Sequence, residues 1–263
     1  MNNKSEQHLK ILEHIKNFRL LDDDFMTKCF EDNIEATEFI LKIILNLDLK
    51  VKSVKTQDTI KNLYGRSVRL DIHAVSAEGK HFNIEIQRQD KGAGATRARF
   101  NASILDSNIL LSGEDFDELP EVYIIFITEK DVLQLNEPIY FIERSIIGKD
   151  KLFNDGSHIV YVNNEIQDDT LLGKLMHDFS CTNVNDMYYE VLADRVRYFK
   201  EDKEGVITMC KAIEDLMKEA ILQEHRKLAI KLINDGDFSF EKIAALCELT
   251  IEEVEELARK KSA

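Results

Sequence analysis

The sequence predicts an α/β protein with a helical C-terminal region. Three observations lead there. Residues 69–74 and 82–87 each alternate apolar and polar side chains, Val122 to Thr128 is a continuous apolar run, and helical spacing fills most of the remainder. Period-two alternation marks strands with one face buried, and an unbroken apolar run of strand length marks a strand covered on both faces.

The elements follow in order. The stretch up to about Leu47 reads as helical, because Phe25, Phe30, Ile34, Phe39, Ile43, Ile44 and Leu47 recur at three- and four-residue steps. Val51 to Thr56 alternates weakly, as a strand does. Leu70, Ile72 and Ala74 then alternate with Arg69, Asp71 and His73, and Phe82, Ile84 and Ile86 with Asn83, Glu85 and Gln87. Ala77-Glu78-Gly79 between them suits a three-residue hairpin loop ending in a left-handed residue. That loop sets Ile72 against Ile84, Leu70 against Ile86 and Ala74 against Phe82 on an apolar face. The other face carries Asp71 against Glu85, Arg69 against Gln87 and His73 against Asn83, and a slip of one residue mixes the two faces. After the loop Lys91–Gly94, Thr96 to Leu111 reads as a helix with an apolar stripe of Phe100, Ile104, Leu105, Ile109 and Leu111. Ile139 to Ile142 and Ile159 to Val162 read as a further strand pair. From Leu171 the chain is mostly helical. A long helix follows Glu204, with Val206, Cys210, Ile213, Met217, Ala220 and Ile221 on one side, and stops near Ile233 before Asp235-Gly236. Two short helices, Phe240–Leu246 and Ile251–Lys260, close the chain, with Thr250 and Glu253 as a capping box.

Composition narrows the function. The 263 residues, 44% apolar and 32% charged, suit a soluble globular protein of one large domain, or one domain and an appendage. Ten Gly and two Pro exclude collagen-like and Pro-rich architectures. No apolar run approaches the roughly 20 residues needed to cross a bilayer, and Met1 to Lys16 is polar, so no membrane role is expected and the cytoplasm is the simplest location. Cys29, Cys181, Cys210 and Cys247 are far apart, which argues for reduced thiols rather than a paired-cysteine zinc site. A net charge of −14 is the wrong sign for coating nucleic acid with the whole surface. Residues 50–100, however, hold 11 Lys/Arg against 5 Asp/Glu, a net of +6 that leaves −20 for the rest. One basic segment sits in an acidic protein, and it is the segment that carries the paired strands.

Asp71 and Glu85 are expected side by side on those strands. Two adjacent carboxylates repel, and a divalent cation removes the conflict by taking both as ligands. Hard oxygen donors of this kind suit Mg²⁺ or Mn²⁺, with the Ile86 backbone carbonyl as a third ligand. Such an ion polarises a phosphodiester and lowers the pKa of a bound water. Arg69, Arg88, Arg97 and Arg99 lie nearby in sequence and suit phosphate oxygens. The same residue types are ordinary on the polar face of an exposed hairpin. His73 and His81 read as surface or hydrogen-bonded histidines.

The order helix, strand, Asp strand, hairpin, Glu-x-Gln strand, helix, strand resembles the core of the PD-(D/E)XK nuclease fold. Within it the chain resembles the Rpn-type recombination-promoting nucleases, the PD-(D/E)XK nuclease family transposases. The resemblance is carried by Leu21–Phe30, Arg69-Leu-Asp-Ile-His73, Asn83-Ile-Glu-Ile-Gln-Arg88, Arg97-Ala-Arg-Phe100, Gly113–Ile127, Phe153–His158 and Asp186-Met-Tyr-Tyr189, across roughly residues 20 to 220. It implies a restriction-endonuclease-like αβββαβ core, with a mixed sheet flanked by helices, over residues 1–168. A helical extension over 169–203 would pack on that core, and 204–263 would form a long helix plus a small helical region. It also implies Asp71 and Glu85 as metal ligands, with Gln87 where many relatives carry Lys. An amide cannot act as a general base, but it can orient an attacking water. A Glu on the first core helix often completes such sites, and Glu35 and Glu38 are both candidates. Asp24 matches a recurrent acidic position, with helix N-capping as its alternative role. Arg97 matches a recurrent basic position, for phosphate or for a carboxylate. The family often has two aromatics after this basic pair, where this chain has Phe100 and Asn101.

The function so implied is metal-dependent DNA endonuclease activity linked to recombination or transposition. A non-catalytic DNA-binding module and an acidic protein-interaction protein with a degenerate nuclease fold are the other readings. The two C-terminal helices resemble a helix-turn-helix, but Glu252, Glu253, Glu255 and Glu256 are unfavourable in a major groove, which favours protein contact there. The long helix has weak heptad character for pairing with a copy of itself, so a homodimer through this region is the expected assembly if one forms.

Overall fold

The computed structural model describes residues 3–62, 65–88 and 92–261; Lys91 of the expected loop lies outside them. The chain divides into two compact units, residues 12–206 in one and residues 1–11 with 207–263 in the other.

Three helices come first, α1 (Asn3–Asn17), α2 (Asp23–Phe30) and α3 (Ile34–Leu45). Apolar spacing alone does not mark the breaks between them. Polar residues do: the Asn33 side chain caps α3 by accepting the Ala36 amide, and Asn46 ends it in the left-handed region. Residue Asp22 stands at the N-cap of α2, so Asp24 lies within the helix and its capping role is corrected.

A six-stranded mixed sheet follows, built of β1 (Val51–Ile60), β2 (Val68–Ser76), β3 (His81–Gln87), β4 (Val122–Thr128), β5 (Ile139–Ile142) and β6 (Ser157–Asn163). The spatial order is β1-β2-β3-β4-β6-β5. Pairs β1–β2, β2–β3 and β5–β6 are antiparallel, while β3–β4 and β4–β6 are parallel. The helix α4 (Ala95–Ile109) carries the chain from β3 to β4, as a parallel pair requires. Strand β4 is central, and Ile124, Ile125, Phe126 and Ile127 are all fully buried, which is why its sequence is an apolar run.

The hairpin between β2 and β3 has the expected loop. Ser76 donates its amide to the Lys80 carbonyl at 2.9 Å, and Gly79 adopts φ +86°. The expected stripe on α4 is only partly correct. Its buried side is Ala98, Asn101, Ala102, Ile104 and Leu105, of which the four apolar residues pack with Val68, Leu70, Ile124, Phe126 and Tyr161, whereas Phe100 and Leu111 are exposed. Small residues at Ala98 and Ala102 let the helix approach the sheet closely, while Phe100 between them faces outward.

Helices α5 (Leu171–Ser180) and α6 (Glu190–Glu201) complete the larger unit. The α6 helix binds the free carbonyl ends of its neighbours. Arg195 donates to the carbonyls of Lys28, Cys29 and Glu31 at the end of α2 and lies over the Phe199 ring. Lys200 donates to the carbonyls of Lys16, Phe18 and Thr182. These cations satisfy acceptors that a helix end leaves without intrahelical partners.

In the second unit, α7 (Lys203–Asp235) ends at Gly236, which takes φ +75°. Beyond it α8 (Phe240–Cys247) and α9 (Ile251–Lys261) share a core of Ala229, Ile243, Ala244, Cys247, Leu249 and Val254 with the end of α7. The capping box forms in both directions, Glu253 amide to Thr250 Oγ1 at 3.2 Å and Thr250 amide to Glu253 Oε2 at 2.9 Å. The expected stripe on α7 is buried at Cys210 and Ile213, half-buried at Val206 and exposed at Met217, Ala220 and Ile221. No helix among the described residues is long and apolar enough to cross a membrane.

A Cβ at Gly79 would meet no atom within 4 Å, so only backbone strain penalises a side chain there. Gly79→Val should therefore lower the unfolding free energy by about 1–2 kcal/mol in denaturant melts.

Candidate functional site

The site lies at the carboxyl end of β3 and the start of α4, where α/β sheets commonly bind ligands. Strand β2 brings Asp71 there and β3 brings Glu85, Ile86 and Gln87. The β2–β3 ladder runs from Val75–His81 to Ile72–Ile84 and stops one residue short of the expected Asp71–Glu85 pair. The side chain takes over where the backbone ladder ends: Ile86 donates its amide to Asp71 Oδ2 at 3.0 Å. Leu70, expected against Ile86, packs instead in the cluster under α4.

Both carboxylates are buried, Glu85 completely and Asp71 to 9% exposure. Burial, then the neighbouring Glu85 charge, pushes the Asp71 carboxyl up to about 7, against the pull of the Ile86 amide. Burial likewise raises Glu85, opposed first by Arg97. Arg97 Nη2 is in direct contact with Glu85 Oε2, and Nη1 donates to the Gly92 carbonyl at 3.0 Å. Glu85 Oε1 and both amide atoms of Asn83, two residues earlier on β3, are buried with no well-formed hydrogen bond, although the Asn83 side chain and the Asp71 backbone amide lie close enough to Glu85 to draw its carboxyl down. Buried polar atoms short of a partner are rare in folded proteins and mark sites for a ligand, water or ion. An oxygen-rich, buried, charge-frustrated pair with one orphaned carboxylate oxygen fits a hard divalent cation.

A cleft of about 1010 Å³ opens over the pair, lined by Asp23, Arg66, Arg69, Asp71, Ile86, Gln87, Arg97, Arg99 and Phe100 among others. Arg66, Arg69 and Arg99 are exposed on it. Sequence reasoning named Arg69 and Arg99 and missed Arg66. Arg88 is elsewhere, 2.9 Å from Asp22 and 3.8 Å from Glu129. Gln87 lies over Gly92, where a Cβ would sit 1.6 Å from Gln87 Oε1, so Gly92 leaves the room that side chain occupies.

Neither Glu35 nor Glu38 reaches the cleft. Glu38 accepts the Val51 amide at 2.9 Å and Lys50 Nζ at 3.0 Å, and that amide is the main reason its carboxyl falls to about 2. With Glu35 it lines a separate cavity of about 340 Å³. The third acidic group on the cleft is Asp23, in the first turn of α2, and its charge raises both Asp71 and Glu85. Sequence reasoning passed over Asp23 for its neighbour Asp24, which burial raises. His73 is hydrogen-bonded on both sides, to Asp58 at 2.8 Å and His81 at 3.0 Å. A second group, His177, Asp178 and Cys181, has one ligand atom each within 4.8 Å of one another. Asp178 already accepts the Tyr188 and Tyr189 amides at 2.8 Å, which accounts for its burial.

Asp71 is protonated more readily in the folded chain than in the unfolded one, so its contribution to stability is complete below about 3.8 and is lost as pH rises through about 7. Without divalent cations, Asp71→Asn should raise the melting temperature by a few degrees at about pH 8 and leave it nearly unchanged at about pH 4. Calorimetry across that range checks this.

The comparisons with known proteins agree with the fold. No curated protein and no solved structure matches the chain significantly. Residues 37–167, about half of the chain, match the family model of the PD-(D/E)XK nuclease family transposases, and through them the chain belongs to that family.

Proposed function

We propose that the protein is a divalent-metal-dependent DNA endonuclease that hydrolyses phosphodiester bonds in the service of recombination or transposition. The observation that carries this reading is the buried Asp71–Glu85 pair, with one orphaned carboxylate oxygen, beneath a cleft lined by exposed arginines. Asp71 and Glu85 hold the cation, with the Ile86 carbonyl and Asp23 on the same cleft. A bound Mg²⁺ or Mn²⁺ supplies Lewis-acid polarisation of a phosphoryl oxygen and a lowered pKa for water. Arg66, Arg69 and Arg99 take DNA phosphates and set the strand against the carboxylates. The Gln87 amide, kept in place over Gly92, orients the attacking water without accepting its proton. Arg97 neutralises Glu85 and can exchange that partner for a phosphate. The acidic remainder of the surface confines DNA to the basic cleft by repelling phosphates elsewhere. This reading keeps the protein in the cytoplasm with its DNA.

One observation favours the non-catalytic DNA-binding reading: Arg97 already neutralises Glu85. Supercoiled-plasmid nicking with Mg²⁺, Mn²⁺ or EDTA separates the two. Metal-dependent nicking should fall to background in both Asp71→Ala and Glu85→Ala. Tight DNA binding with no nicking in any metal would support the binding module instead. Arg99→Ala and Arg69→Ala should each weaken DNA binding across sequences and reduce the salt slope of binding by about 1, read from titrations at several salt concentrations.

A further inference from the structure

We propose that Gln57 is a positioning residue, whose side-chain amide fixes Asp23 as the third carboxylate of the cleft and whose left-handed backbone holds β1 open at Asp71. The proposal rests on the metal-site reading above and assigns a role to a residue outside the motifs.

The backbone is the first observation. Gln57 has φ +52° in the middle of β1, and among the described residues it is the one non-glycine residue with positive φ inside a strand. The others lie in loops or at helix ends, where that conformation is ordinary. A left-handed residue within a strand is strained and interrupts pairing, and such strain collects at functional sites. Here the β1–β2 ladder pairs Thr56 with Ile72 and Asp58 with Leu70, and skips Gln57 and Asp71 between them. The β2–β3 ladder stops at Ile72–Ile84. Asp71 therefore has no ladder partner on either side, although the β1–β2 register is the same before and after it, and its carboxylate reaches the Ile86 amide there.

The side chain is the second observation. Gln57 Nε2 donates to Asp23 Oδ1 at 3.1 Å and to Thr27 Oγ1 at 3.0 Å, spanning one turn of α2. One amide thus ties the acidic first turn of α2 to the strand facing Asp71. Its other end, Oε1, is buried without a partner. A strand residue chosen for packing alone would have neither the strained backbone nor a buried orphan acceptor. Without the tether, Asp23 is an exposed carboxylate in a helix's first turn, free to sample other rotamers. Asn is the conservative probe, because it tolerates the left-handed region but is one methylene shorter. Gly removes the amide and relieves the backbone at once.

The test uses the full chain as wild type, Gln57→Gly, Gln57→Asn, Asp23→Asn and the double variant Asp23→Asn/Gln57→Gly. Three quantities are read: the Mn²⁺ concentration for half-maximal plasmid nicking, the rise in melting temperature caused by Mn²⁺, and DNA affinity in EDTA. Each single variant should need about tenfold more Mn²⁺, in the range typical for losing a group that orients a metal ligand. The Mn²⁺-induced thermal shift should shrink in each, while the Gln57 variants leave DNA affinity in EDTA unchanged. The double variant should be no worse than Asp23→Asn alone. A purely structural role would lower the melting temperature of the metal-free protein and leave the Mn²⁺ requirement untouched, and that result overturns the proposal. Additive losses in the double variant overturn it too, because Gln57 would then act on something other than Asp23. If the wild type responds to Mn²⁺ and the Gln57 variants match it, the positioning role alone falls. If the wild type neither nicks nor is stabilised by Mn²⁺, the metal-site reading falls and takes the positioning role with it.

Discussion

The architecture turns on two carboxylates buried within reach of each other. Burial raises both, the Glu85 charge raises Asp71 further, and the fold compensates only in part: the Ile86 amide for Asp71, and the Arg97 guanidinium, the Asn83 side chain and the Asp71 amide for Glu85. Removing a charge from water is among the more expensive things a protein does. The surrounding elements must therefore be stable enough to support the pair. The apolar centre of β4, the close approach of α4 through Ala98 and Ala102, and the aromatic contacts of Phe25 with Phe18 and Phe199 supply that support.

Sheet topology decides where such a pair can open to solvent. The parallel junction β3–β4 needs a covering helix, and the N-terminus of α4 arrives beside the carboxyl end of β3. This single crossover brings Arg97, Arg99 and Phe100 over Glu85 and Gln87, although they are ten or more residues apart in sequence. The charge distribution follows the same plan, with the basic segment lining the cleft and acidic residues dominating the rest of the chain.

Much of this was legible in the residues. Alternation on two strands and a glycine-ended loop agree on one register, so Asp71 and Glu85 could be put side by side before any coordinates. The ladder ends just before them because side-chain and backbone groups compete for the same Ile86 amide, which periodicity does not encode. Glu35 and Glu38 lie away from the cleft for a different reason. Helical spacing says which residues share a face but not which way that face docks, and Glu38 turns to the Val51 amide and two lysines. Asp23 escaped notice because a left-handed Gln57 brings β1 to it, and no pattern of apolar residues signals a left-handed glutamine. Arg88 was drawn into an ion-pair cluster with Asp22 and Glu129, whose members come from three distant parts of the chain.

The cationic caps on α6 separate two units of inheritance that are easily confused. The stretch that the family model matches, residues 37–167, lacks α2, α5 and α6. The body that packs together, residues 12–206, includes all three. Arg195 and Lys200 neutralise carbonyl ends that lie more than 150 positions away in several cases. A genetic exchange that moved only the recognisable motif would strand those carbonyls and leave Asp23 behind. Shuffling among relatives should thus respect the longer boundary, and the helices flanking the motif are as much a part of what is transmitted as the carboxylates themselves.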